Sequence, residues 1–215
     1  MSILASFRIV LCSLGIKKME HPIFYNNKVA IRFNIGDNGN DAHIEDGNNE
    51  FVNPEYISAC LKRSLKIYYS LPSTPDILVI EGFLYEDETI EDFILSVLNT
   101  TQLPQPNEIT TEEISDIENK YIHLYLFWEL KDFDPNILLK EIIKTELGNG
   151  NNILSSSVYF VCTNDNVIFH LYDDRGADLV ADKKERIINI YYNLNDLILD
   201  YDREKIDYIF KQKSS

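Results

Sequence analysis

The sequence predicts a single α+β domain in which several helices flank a mainly antiparallel sheet. Three observations predict it. Strand-like and helix-like segments follow one another without a domain-length linker, and two apolar strands near the C-terminus are joined by a four-residue turn. The third is size, since 215 residues, 45% of them hydrophobic, can bury one core without a disulfide or a structural metal. Residues 1–18 are expected to be a leader or a short helix, and residues 19–215 the domain.

The first elements are recognised by alternation and by capping residues. Apolar residues alternate with polar ones over Val29–Ile35, which predicts a strand. The stretch Gly36–Glu50 is rich in Asn, Asp and Gly and predicts a polar loop. Asn53 followed by Pro54 predicts the start of a helix, with Asn as the cap. A short apolar run then predicts a strand over Asp76–Glu81.

In the middle of the chain, two helices and a strand precede a further capped helix. The periodicity predicts a helix over Thr89–Leu98, and the acidic residues of Thr111–Ile117 predict a short helix. His123–Glu129 is a dense aromatic strand, predicted to lie centrally in the sheet. A helix is expected to start at Asp134-Pro135 and to stop at Gly148.

The pattern in the C-terminal third predicts an antiparallel arrangement of strands. Ser157–Cys162 and Val167–Tyr172 are predicted to form a hairpin, with Ala177–Ala181 as a third strand. Helices are predicted over Asp182–Leu194 and Asp202–Lys211.

Cysteine and motif content exclude several function classes. Cys12, Cys60 and Cys162 are widely spaced, and this spacing fits neither a disulfide framework nor a metal site. No cofactor is predicted, since the sequence has no P-loop, no G-x-G-x-x-G and no H-E-x-x-H motif. No run approaches the roughly 20 apolar residues that a membrane span needs. We therefore expect no membrane association and a cytoplasmic location.

Charge is distributed unevenly along the chain. The formal net charge is −15, and the stretch 67–119 contains 12 acidic residues and no Lys or Arg. Such a field repels nucleic acid and attracts basic proteins, so we expect no nucleic-acid binding and a basic protein partner. The alternative is that the acidic surface serves only solubility.

These charges suggest a protein-interaction module, for example a bacterial immunity protein that neutralises a cationic toxin such as a nuclease. Clustered carboxylates would steer the partner, and the aromatic residues Phe83 and Tyr85 would anchor it. The predicted binding residues are Glu86, Asp87, Glu88, Glu91 and Asp92.

The segment Tyr172-Asp173-Asp174-Arg175-Gly176 concentrates two carboxylates, a guanidinium and a phenol. As a β-turn it would be structural, with Arg175 reaching back to a carboxylate and Gly176 at positive φ. The alternative is a binding turn or a hydrolase or transferase site, with Asp173 or Asp174 as base, Arg175 as anion clamp and His170 in support. No metal is predicted there, because adjacent residues of a continuing strand point to opposite faces.

The four histidines, His21, His43, His123 and His170, are scattered and are interpreted as core or surface residues rather than ligands.

The same motif, with its context NVIFHLYDDRGADLVA, resembles an uncharacterised bacterial family marked by Tyr-Asp-Asp-Arg-Gly near the C-terminus. The segments HPIFYNNKVAIRFNIG and EYISACLKRSLKIYY are similar to its opening elements, so that the resemblance covers about residues 20–210. The function of that family is unknown, and the resemblance implies no activity and no catalytic residue.

Overall fold

An antiparallel sheet of seven strands forms the centre of the described part of the chain. The computed structural model describes residues 1–36, 39–46, 49–85, 87–115, 120–131, 133–148, 154 and 158–212. The order of strands in the sheet is β1-β9-β8-β7-β4-β6-β5. The strands are β1 (Ala30–Asn34), β4 (Ile77–Leu84), β5 (Glu108–Ser115), β6 (Lys120–Glu129), β7 (Val158–Cys162), β8 (Val167–Leu171) and β9 (Gly176–Ala181). The predicted α+β class, with its C-terminal β7-β8-β9 meander, is confirmed.

Helices lie on both faces of this sheet. They are α1 (Ile3–Leu14), α2 (Pro54–Tyr68), α3 (Ile90–Thr101), α4 (Asn136–Lys144), α5 (Lys184–Asn193) and α6 (Arg203–Lys211). The predicted cap at Asn53 is present, since its side chain accepts from the Glu55 N–H. The Thr89 side chain accepts from the Asp92 N–H at the start of α3. At the other predicted cap, α4 has Pro135 at its N-cap position with no side-chain cap bond, and Asp134 accepts the Asn136 N–H at 3.0 Å. After α4 a short 3₁₀ turn ends at Gly148, whose φ is +77°.

Two segments differ from the sequence-based expectation. The predicted loop Gly36–Glu50 contains most of a separate hairpin, in which β2 (His43–Asp46) pairs with β3 (Asn49–Val52). The predicted acidic helix Thr111–Ile117 is wrong, because residues up to Ser115 belong to β5 and pair along β6. Isolated short helices are marginal in water, whereas the long neighbouring strand β6 offers hydrogen-bond partners to the alternate residues of β5 that face it. β6 lies inside the sheet, as predicted, between β4 and β5.

The two faces of the sheet differ in chemistry. One face is apolar and is covered by α2, α3 and α4. There Tyr68 packs edge-on against Phe160 at 5.3 Å between ring centroids. Gly82 of β4 lies under α3, and a Cβ at this position would lie 2.5 Å from the Phe93 ring. Because glycine has no Cβ, α3 lies closer to β4 at this point than it could if any other residue occupied position 82.

Helix α1 covers part of the opposite face. Phe7 packs edge-on against Phe127 of β6 at 5.6 Å. The Glu108 carboxylate of β5 accepts the backbone N–H groups of Ile3 at 2.7 Å and Leu4 at 3.0 Å, which fixes the start of the helix. Residues Ile3–Leu14 therefore form a helix packed on the sheet. Among the described residues no helix combines the length and apolarity needed to cross a bilayer.

Candidate functional site

Polar side chains form a row across the sheet face that α1 partly covers. Register pairs place Arg32 opposite Asp178, Asp178 opposite His170, and His170 opposite Tyr159. The row continues through Glu81, whose register partner on β6 is Tyr125. Because side chains alternate between the faces of a strand, residues in register share one face. A row of polar groups inside a sheet face is unusual, and each buried group requires a partner.

Glu81 is the centre of this row, and its side chain is 2% exposed. His123 Nε2 lies 2.6 Å from its Oε1, and the Tyr125 hydroxyl donates to the same oxygen at 2.9 Å. The Tyr159 hydroxyl donates to Oε2 at 2.8 Å, and His21 Nε2 lies 3.5 Å from that oxygen. Burial alone would raise the pKa of Glu81, but hydrogen bonds from these four side chains outweigh burial and lower it. The Glu81 carboxylate is therefore held in its charged form inside the fold.

The other end of the row is an ion-paired system on β1 and β9. Arg32 Nε lies 3.3 Å from Asp178 Oδ1 and donates to the Tyr172 hydroxyl at 3.2 Å. The Phe24 N–H donates to Asp178 Oδ2 at 3.1 Å. Burial raises the pKa of Asp178 to about 6, although Arg32 and the Phe24 N–H oppose the rise. Between the two ends, the His170 ring packs against those of His21, Tyr159 and Tyr172.

A cavity of about 440 Å³ lies beside the Glu81 end of the row, between α1 and strands β5 and β6. We call it the α1 cavity. Its lining includes His123 and Tyr125, the two β6 residues that contact Glu81. The other lining residues are Leu4, Phe7, Arg8, Leu11, Lys17, Lys18, Met19, Thr110, Thr111, Glu112 and Phe127. The volume is within the range of small-molecule sites.

The Tyr172–Gly176 turn forms its bonds within the fold. Asp173 Oδ1 accepts the backbone N–H groups of Arg175 at 2.8 Å and Gly176 at 3.1 Å. Arg175 reaches back to the other oxygen, with Nε donating to Asp173 Oδ2 at 2.8 Å. Asp174 accepts from the Tyr56 hydroxyl at 2.6 Å. These bonds are those of a structural turn, and the Arg175 side chain itself is 73% exposed.

Gly176 is required at this turn for a reason other than the predicted one. Its φ is not positive, so the expectation of a left-handed glycine is wrong. A Cβ at this position would instead lie 2.0 Å from the hydroxyl oxygen of Tyr172. The glycine thus makes room for the tyrosine ring that meets Arg32.

A family model described as a domain of unknown function, DUF3885, matches residues 14–202. The chain belongs to this family. The comparisons with curated proteins and with solved structures give no match. Membership of an uncharacterised family is thereby confirmed, whereas the role of Tyr-Asp-Asp-Arg-Gly as the mark of DUF3885 stays a prediction. The match begins at the last residue of α1, so the helical wall of the α1 cavity lies outside the DUF3885 region.

The predicted acidic binding residues fall into two groups in this DUF3885 protein. Asp87 is exposed in the turn after β4, whereas the Glu88 carboxylate accepts the Tyr85 N–H at 2.9 Å. Glu91 and Asp92 lie in the first turn of α3, where Asp92 forms reciprocal bonds with the cap Thr89. Glu86 lies outside the described residues.

The predicted anchors lie together at the end of the sheet near these acids. Phe83 and Tyr85 both pack against Tyr121 of β6, at centroid distances of 5.8 Å and 6.0 Å. Glu88 and Glu113 line a shallow depression with Tyr85 and Tyr121. We define the acidic corner as Phe83, Tyr85 and Tyr121 together with Asp87, Glu88 and Glu113.

Sequence reasoning missed the Glu81 cluster. His21, His123 and Glu81 were interpreted separately, because 42 positions separate Glu81 from His123 and 78 separate it from Tyr159. The available signal was a carboxylate within the apolar run Ile77–Leu84, since a charge inside a buried strand implies partners. Within the described part of the chain, no group of His, Cys, Asp and Glu side chains is arranged to hold a metal ion.

Proposed function

We propose that this protein is an interaction module that binds a basic protein partner through the acidic corner. The observation that carries the proposal is a pair of solvent-exposed aromatic side chains, Phe83 and Tyr85, with the carboxylates of Glu88 and Glu113 beside Tyr85. Phe83 is 43% exposed and Tyr85 is 58% exposed, although both are large and largely apolar. Exposed aromatic clusters with a polar rim are typical of protein-binding surfaces.

Charge selects the class of partner. Glu88 and Glu113 line the depression beside Tyr85 and Tyr121, Asp87 is exposed in the turn next to Glu88, and Lys120 is the basic residue that lines the same depression. The corner also belongs to the part of the sequence that carries most of the net charge of −15. Such a field speeds association with a cationic surface and disfavours an anionic one. One role that fits this chemistry is that of an immunity protein covering the cationic active site of a bacterial toxin.

A hydrolase or transferase site at Tyr172–Gly176 remains the alternative prediction. The geometry favours it less, because Asp173 and Asp174 already accept hydrogen bonds from the turn and from Tyr56. A general base needs a lone pair directed at substrate, and these oxygens serve the fold instead.

The test begins with capture of proteins from a host lysate at low salt, with elution at high salt. The dissociation constant of each captured protein is then measured with a corner variant that combines Tyr85→Ala, Asp87→Asn, Glu88→Gln and Glu113→Gln. Glu88→Gln keeps an acceptor for the Tyr85 N–H, so that the turn is preserved. A matched control combines Glu55→Gln, Glu185→Gln and Glu204→Gln, three exposed carboxylates elsewhere.

We expect the corner variant to bind at least about tenfold more weakly, mainly through a slower association rate, and the control to bind as the unmodified protein does. Equal affinity of all three proteins for every captured partner would contradict the proposal. So would captured partners that are acidic, since the corner would then repel them.

A further inference from the structure

We propose that the α1 cavity is a binding site for a small amphipathic organic anion, with a carboxylate or phosphate head and an apolar body. The site adjoins the acidic corner, since the Phe83 ring stacks on the His123 ring at 4.5 Å between centroids, but the inference does not rest on partner binding at that corner. The α1 cavity is a cleft between α1, β5 and β6 that is partly open to solvent.

The rim of the cavity is cationic. Arg8, Lys17 and Lys18 line it, and none of the three forms an ion pair within the described part of the chain. In a protein with 35 acidic and 20 basic residues, three cations without a carboxylate partner at one cavity are a local reversal of the charge. The carboxylate in the lining is Glu112. The balance at the mouth therefore favours an anion.

The walls of the cavity are apolar. Phe7 and Leu11 of α1 line it together with Met19 and with Phe127 of β6, against which Phe7 packs edge-on. A purely inorganic anion would leave this surface in contact with water, whereas a hydrocarbon or aromatic body would bury it. The walls thus require a ligand with an apolar part as well as a charged head.

The floor consists of side chains whose orientation is fixed from below by the Glu81 carboxylate, so it shapes the site while the cationic rim receives the anionic head. His123 and Tyr125 line the cavity, and both are bonded to the buried Glu81 carboxylate at 2.6 Å and 2.9 Å. Side chains held by a second layer of hydrogen bonds lose little rotamer freedom when a ligand arrives. The Glu81 cluster thereby has a role that the acidic corner does not explain, namely to orient the floor of this site.

The probe is 8-anilinonaphthalene-1-sulfonate, an aromatic anion whose fluorescence rises in an apolar site. Octanoate, octyl phosphate and neutral 1-octanol are then used as competitors of equal chain length. We expect one saturable site, displaced at least about tenfold more effectively by an anionic competitor than by octanol. The stronger of the two anions identifies the head group as carboxylate or phosphate.

Two variants locate the site on the protein. Lys17→Gln combined with Lys18→Gln should weaken probe binding about tenfold and remove most of its salt dependence. The matched control, Lys62→Gln with Lys140→Gln, makes the same charge change on exposed residues of α2 and α4. Leu11→Trp fills the cavity from α1 and should abolish binding, with circular dichroism and thermal unfolding showing that the fold is retained.

Several outcomes would overturn the inference. They are absence of saturable binding up to millimolar probe, equal displacement by octanol and octanoate, and equal loss of affinity in the Lys17/Lys18 and Lys62/Lys140 variants. Loss of partner binding in the corner variant with intact probe binding would separate this site from the proposed function.

Discussion

Glu81 and Asp173 are both buried carboxylates, but they are satisfied in different ways. Asp173 accepts the N–H groups of Arg175 and Gly176 and the guanidinium of Arg175, all within three residues of itself. Glu81 receives hydrogen bonds from side chains at least 42 residues away, and two of those side chains line a cavity. A carboxylate whose hydrogen-bond partners all lie in its own turn stabilises the backbone of that turn. A carboxylate that gathers distant strands beneath a cavity is placed to support a binding site.

The largest expected effect comes from removing the Glu81 carboxylate. Glu81→Ala should lower the free energy of unfolding by about 4 kcal/mol, because buried donors on His123, Tyr125 and Tyr159 lose their acceptor. Urea unfolding at pH 7 measures the loss. Glu81→Gln keeps one acceptor oxygen and should cost roughly half as much.

Glu112→Ala is the control for this prediction, since Glu112 is exposed on the neighbouring edge strand and should cost less than about 0.5 kcal/mol. A loss below about 1 kcal/mol in Glu81→Ala would mean that water replaces the carboxylate. The contrast drawn between the two buried acids would then fail.

The second prediction concerns Asp178, at the far end of the polar row. Its pKa is about 6 in the folded protein against an ordinary value of 3.8. Between these pH values the folded state binds a proton that the unfolded state has lost, so the contribution of this group to stability falls as pH rises. It is largest below about pH 4 and reaches its lower plateau above about pH 6.

The measurement compares the unmodified protein with Asp178→Asn by urea unfolding from pH 4 to pH 7. The difference in unfolding free energy, unmodified minus variant, should fall by about 2–3 kcal/mol over this range. Titration of Glu81 is common to both proteins and cancels in the difference. Asp87→Asn, an exposed carboxylate, should give a flat difference. A flat difference for Asp178→Asn as well would show that Arg32 offsets the cost of burial completely.

The same contrast between local and distant partners explains what the sequence could predict. The cap Asn53, the α3 helix, the stop at Gly148 and the β7-β8 hairpin depend on neighbours along the chain, and all were predicted correctly. The prediction of a helix over Thr111–Ile117 failed because the residues of this stretch that belong to β5 are stabilised by pairing with β6, a tertiary partner. Propensity gives way when a neighbouring strand supplies the hydrogen bonds.

The candidate sites divide in the same way. The acidic residues and the anchors Phe83 and Tyr85 were recognised from local composition. The Glu81 cluster was not, because its members come from β4, β6, β7 and the segment before β1. The strand order β7-β4-β6 brings Tyr159 and Tyr125 to the two sides of the Glu81 carboxylate. Strand order cannot be inferred from the pattern of any single segment of the sequence.

The smallest expected effect concerns Arg175, which was singled out by the sequence, and its partner Asp173. Arg175→Ala should cost less than about 1 kcal/mol, because the side chain is 73% exposed and solvent replaces its ion pair. Asp173→Ala should cost about 2 kcal/mol, because two backbone N–H groups of the turn lose their acceptor along with the guanidinium.

Thermal and urea unfolding of both variants measure the order of these effects. Asp173→Asn is the informative intermediate, since an amide oxygen still accepts from the Arg175 and Gly176 N–H groups but carries no charge for the guanidinium. Its loss of unfolding free energy should be close to that of Arg175→Ala if Asp173 contributes mainly by accepting hydrogen bonds from the backbone N–H groups. The reverse order, with Arg175→Ala the more damaging variant, would mean that the guanidinium stabilises more than its own turn. The contrast between Asp173, whose partners are local, and Glu81, whose partners are distant in sequence, would then fail.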